Sequence, residues 1–137
     1  QAVCTTQTTN KIFDMVRAVT EKNQKRALDL YYDLLTLREP PMRILFLLAK
    51  QFRQICLTKK MSQEGLSQTE IASKLGVPSF VVRNLASCAR SYTVEELENA
   101  VRDFVDAEEA VKTGTLGDVL SVELLIVKYS SARAVRA

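Results

Sequence analysis

The 137-residue chain contains no histidine at all. That removes the usual general base at neutral pH and the commonest zinc ligand. Its three cysteines, Cys4, Cys56 and Cys88, are odd in number and far apart, with no Cys-x-x-Cys pair. Neither a disulfide framework nor a zinc site is expected from them, and Cys56 and Cys88 read as small apolar residues on helices. A reducing, cytoplasmic location follows. No apolar run is long enough for a membrane span: the stretch from Ile44 to Ala49 is ended by Lys50 and Arg53. Charge of one sign is not blocked either. The longest basic cluster is Lys22, Lys25 and Arg26, and a net charge of +3 is too mild to imply nucleic acid by itself. There is no signal peptide, internal repeat or low-complexity segment. The chain begins with Gln1 rather than Met and is expected to be a piece of a longer protein.

Glycine occurs four times and proline three, at positions that punctuate. Between them apolar residues recur every three or four positions, the helical period, and 47% of the chain is apolar. The expected fold is all-α: one domain of six to seven helices containing a helix-turn-helix-like corner. Residues 1–9 read as an entering linker, 10–131 as the helical domain, and 132–137 as a tail. Asn10 is expected to cap a first helix bearing Ile12, Phe13, Val16 and Val19. Asn23 caps a second with a stripe of Ala27, Leu28, Tyr31, Leu34 and Leu35. Of the adjacent Tyr31 and Tyr32, one must face away from the other. The Glu39-Pro40-Pro41 string ends that helix and opens a third over Met42–Lys60. Its Ile44, Leu45, Leu47, Leu48, Phe52, Ile55 and Leu57 cover more than half its girth, so it should be central.

The stretch "GLSQTEIASKLGVPSFVVRNL" at 65–85 carries the packing signature of a helix-turn-helix. Ser67 and Glu70 form a capping box, Ala72 is small where the helices cross, and Gly76 suits a left-handed turn. Ile71, Leu75, Val77, Val82 and Leu85 would pin the two helices. The reading positions hold Pro78, Ser79, Phe80, Arg83 and Asn84, a poor set for base edges. The corner therefore passes the packing test and fails the readout test. A DNA-binding regulator working through Arg83 and Asn84 stands as the alternative. Thr93 and Glu96 form a second capping box for a helix with Val94, Leu97, Val101, Phe104 and Val111 on one stripe. The last helix, Asp118 to Ser130, is apolar on nearly every side, so it is either central or partly turned toward another subunit.

Chemistry is hard to find. The carboxylates Glu95, Glu96, Glu98, Asp106, Glu108 and Glu109 lie on one amphipathic helix and read as its solvated face. Neither Gly-x-x-x-x-Gly-Lys-Ser/Thr nor Gly-x-Gly-x-x-Gly is present. "KTGTLGD" at 112–118 reads as a turn, with Lys112 able to touch a phosphate. No catalytic residue, metal ligand or cofactor site is assigned.

Three stretches in this order form a known pattern: "NKIFDMVRAVTEKNQKRALDLYYDLL" from Asn10, "LAKQFRQI" from Leu48, and "LSQTEIASKLGVPSFVVRNLASCARSYTVEELENAV" from Leu66. With Glu123, Leu124 and Leu125 in the last helix, they resemble the C-terminal domain of the delta-subunit family of bacterial DNA polymerase III, over about residues 10–130. One departure is "VPSF" at 77–80, where many members have His-Pro-Phe. The resemblance implies a clamp-loader subunit in DNA replication, part of a nucleotidyltransferase holoenzyme but itself without a catalytic site here. It implies a helical collar domain that assembles with the tau/gamma and delta prime subunits. The sliding clamp would be met through an N-terminal ATPase-like module missing from this chain, with primer-template DNA a further contact. On this reading the expected subunit interface is Phe80, Leu116, Val119, Val122, Leu125, Ile126 and Tyr129. Arg83, Asn84 and Lys112 are the candidate DNA contacts.

Overall fold

A computed structural model describes residues 2–131, with side chains from Thr8 onward. The tail assigned to 132–137 lies outside the described residues. Seven helices and no strand are found among them: α1 (Ala2–Thr20), α2 (Gln24–Thr36), α3 (Pro41–Gln63), α4 (Gln68–Leu75), α5 (Ser79–Ala89), α6 (Val94–Lys112) and α7 (Asp118–Ser130).

The starts of these helices follow from local chemistry. The Asn23 side chain accepts from the Arg26 amide. Pro40 and Pro41 open α3, where a missing amide costs nothing. Both capping boxes form: the Ser67 amide donates to Glu70 at 2.8 Å, and the Thr93 amide donates to Glu96 at 2.8 Å. Gly76 closes α4 in the left-handed region (φ 73°), its amide donating to the Ala72 carbonyl at 2.8 Å. The first helix departs from expectation. It starts at Ala2 rather than Asn10, so residues 2–9 are helical and Asn10 is an exposed position within α1. Thr8 is buried, and that tertiary packing overrides the weak helical propensity of "TTQTT".

Helix α3 is the axis of the fold, packing against α1, α4, α5, α6 and α7. Its Phe52 is fully buried, with ring centroids 5.1 Å from Phe104, 6.0 Å from Tyr92 and 6.2 Å from Tyr129. This aromatic knot ties α3 to α6, α7 and the α5–α6 turn. Tyr92 adds a polar lock: its hydroxyl donates to the Tyr129 carbonyl at 2.7 Å and stands 3.3 Å from that of Val19. Helices α4 and α5 form the corner read from the sequence, with Ile71, Ala72 and Val82 in a small core of their own.

Two apolar side chains placed inward by periodicity, Phe13 and Leu57, point outward instead, as does Phe46. Phe13 on α1 and Phe46 and Leu57 on α3 are exposed. On α3, Ile44, Leu45, Leu48, Phe52 and Ile55 occupy the buried arc, which leaves Phe46 and Leu57 on the opposite side at 100° per residue.

Candidate subunit-assembly surface

Helix α7 has two apolar faces, and the fold uses one. Val122, Ile126 and Tyr129 point into the core. Leu120 and Leu124, about half a turn around, point into solvent with the half-buried Val127 between them and the core. Val119 is exposed at the start of the helix, and Tyr32 of the adjoining α2 is exposed beside it.

The helix is held along its length by polar contacts from α2 and α6. Tyr31 donates to the Val119 carbonyl at 2.8 Å, and Tyr32 donates to the Glu123 carboxylate at 3.0 Å. The Gln24 amide donates to the Val127 carbonyl at 3.3 Å. On the α6 side, Lys128 pairs with Asp103 at 2.8 Å and the Tyr129 hydroxyl donates to the same carboxylate. Burial pushes the Tyr31 and Tyr129 phenols well above their ordinary range, with Glu123 and Asp103 respectively adding to it. The Tyr32 phenol is raised by its bond to Glu123. All three keep their protons at neutral pH and so remain donors. Burial pushes the Asp103 carboxyl upward, but the bonds from Lys128 and Tyr129 outweigh it and hold it below its ordinary value. The outward stripe is thus presented on a rigid support.

The expected interface residues divide. Val119 is exposed, and Leu116 and Leu125 are half-buried, so these three offer surface. Val122, Ile126 and Tyr129 do not. They fill the chain's own core, because α7 turns this side toward the body of the bundle. Phe80 is exposed. It lies on α5, away from the α2–α7 patch. Leu120, Leu124 and Tyr32 were missed. Leu120 and Leu124, four apart and opposite Val122 and Ile126, were legible as a second stripe, and the α2 stripe that takes in Tyr31 leaves Tyr32 as the exposed ring.

Arg83 and Asn84 are exposed on α5, where Asn84 lines a polar cleft of about 280 Å³ with Arg17 and Thr20 of α1 and Glu21 just beyond it. Lys112 ends α6, which packs on α3 and α7 rather than α5, so the three candidate DNA contacts are not gathered on one element pair. Among the described residues, no three His, Cys, Asp or Glu side chains are grouped to hold a metal ion. No helix among them is long and apolar enough to cross a membrane.

A seven-helix bundle with an uncovered apolar stripe on its last helix has the surface of a binding domain. The family described as DNA polymerase III delta subunit, C-terminal domain, matches residues 9–129. The chain belongs to that family. It is 32% identical over 117 residues to the DNA polymerase III subunit delta of Bacillus subtilis (strain 168), an alignment covering 85% of this chain and 34% of that protein. Its fold is similar to that of the Bacillus subtilis DNA clamp loader delta protein, with a TM-score of 0.82 and 31% identity over 88% of this chain and 35% of that one. The chain therefore spans about a third of the length of the relatives it matches.

Proposed function

We propose that this domain joins a clamp loader to its neighbouring subunits, and that the α2–α7 patch makes the contact. The observation that supports this most is the solvent-facing stripe of Leu120 and Leu124, flanked by Val119 and Tyr32, on a helix whose other side is already in the core. Four large apolar side chains on adjoining elements are more than scattered surface residues require. Leu116 and Leu125 border the stripe. The partners on this reading are the tau/gamma and delta prime subunits, in the bacterial cytoplasm. Contact with the sliding clamp belongs to other parts of the intact protein. The work of the domain is binding, with no chemical step assigned to its side chains.

The rival reading, a helix-turn-helix regulator, is less well supported. Its recognition helix presents Pro78 and Phe80 where polar forks are needed, and Lys112 stands at the end of α6 away from the turn that joins it to α5. Reconstitution with the other loader subunits tests the proposal: the chain should co-elute with them, and Leu120→Asp with Leu124→Asp should abolish co-elution. Co-elution unchanged by the double substitution would remove the α2–α7 patch from the interface. Tight salt-resistant binding of one duplex through Arg83 would favour the rival.

A further inference from the structure

The outward side of α3 forms a second surface that the assembly reading does not use. Phe46, Lys50, Arg53 and Leu57 fall on one exposed stripe at intervals of four, three and four. The stripe runs about 16 Å, three helical turns. Between it and α6 lies a cleft of about 330 Å³ whose walls include Cys56, Leu57 and Val101, with Arg53, Lys60, Glu98 and Arg102 at its rim. Glu98 is committed to Lys60: their ion pair holds the carboxyl below and the ammonium above its ordinary value. Arg53 has no ion-pair partner among the described residues, and Arg102 bonds only the Asn99 amide oxygen, standing near enough to Glu98 and Asp103 to help hold both carboxyls down without pairing with either. Val105, one turn beyond Val101, is exposed and continues the apolar strip.

We propose that this α3–α6 groove docks an acidic amphipathic helix of a partner protein. Charge complementarity fixes the class. Two guanidiniums without carboxylate partners flank an apolar floor, so the matching segment carries apolar side chains on one face and carboxylates at the end nearest Arg53 and Arg102. A nucleic acid fits less well. Phe46, Leu57 and Val105 would lie against phosphates, where an amphipathic helix offers them its apolar face. The groove is also separate from the α2–α7 patch. Asp103, which faces α7, and Val105, which borders the groove, are two residues apart and so about 200° apart around α6. One chain can hold a partner on each side.

The probe is a fluorescein-labelled synthetic helix with leucines at i, i+3, i+4 and i+7 and glutamates in its first turn, followed by anisotropy against the 137-residue chain. It should bind. A peptide of the same composition in scrambled order should not, and a mixed-sequence duplex DNA should not displace it. Arg53→Glu with Arg102→Glu should weaken it roughly tenfold or more, the order expected for reversing two rim charges. Val105→Asp, at an exposed position, should weaken it alone. Leu120→Asp with Leu124→Asp should leave it unchanged, which separates this surface from assembly. Absence of binding, equal binding of the scrambled peptide, or insensitivity to the arginine reversal in a folded chain would overturn the proposal. Duplex competition through the same two arginines would overturn it in favour of nucleic acid.

Discussion

Leu120→Asp with Leu124→Asp separates surface from core on a single helix. Leu120 is 48% exposed, Leu124 51%, Val119 41% and Tyr32 44%. A leucine gains about 1.5–3 kcal/mol on full burial, so a half-exposed one still has about 1 kcal/mol to gain at an interface. Four such side chains supply about 4 kcal/mol, close to a thousandfold in Kd. The double substitution removes about 2 kcal/mol of that and buries two carboxylates without partners, so affinity should fall at least about 30-fold. The fold should survive, because exposed positions away from special features change stability by about 0.5 kcal/mol or less. Calorimetric titration against the reconstituted partner subunits measures the loss, and a thermal melt checks the fold. Val122→Asp is the contrast: its charge would sit at a position with no solvent exposure, and the melt should collapse before assembly can be scored. A double variant that melts normally and binds with undiminished affinity would refute the two-faced account of α7.

Three further outcomes test the support beneath that surface. Tyr92→Phe removes the hydroxyl that donates to the Tyr129 carbonyl and should lower stability by about 1–2 kcal/mol, seen as a drop of roughly 4–6 °C in Tm. The Asp103 carboxyl, held below its unfolded value, contributes stability that is present at neutral pH and lost as pH falls below about 4 through its folded value. Asp103→Asn should flatten that part of an acid-unfolding curve. Gly76→Ala meets no atom within 4 Å of its new Cβ, so only the left-handed backbone resists it, and the cost should be about 1–2 kcal/mol by urea unfolding. A cost near zero there would mean that α4 ends by another device.

Much of the fold was legible because helix boundaries are local. Both capping boxes, the Asn23 cap, the two prolines before α3 and the Gly76 turn act through neighbours within four residues, and each formed as read. The start of α1 was not legible, since what keeps residues 2–9 helical includes the burial of Thr8 among distant segments. The site was half legible. The excess of apolar residues on α7 announced more apolar surface than the core takes up, and of the residues named for it Val119 is exposed while Leu116 and Leu125 are half-buried. Which side faces out was not written in the helix itself.

By itself, the sequence determined a helical domain without histidine chemistry, most of its helix ends, and a last helix with more apolar surface than one face can bury. Tertiary structure alone decided that Val122, Ile126 and Tyr129 go inward while Leu120 and Leu124 remain outside. The physical reason is symmetry of composition. A helix apolar all round has no preferred face, and its rotation is fixed by what grips it: Tyr31 and Tyr32 from α2 on one flank, Asp103 from α6 on the other, and the Tyr92 hydroxyl at its end.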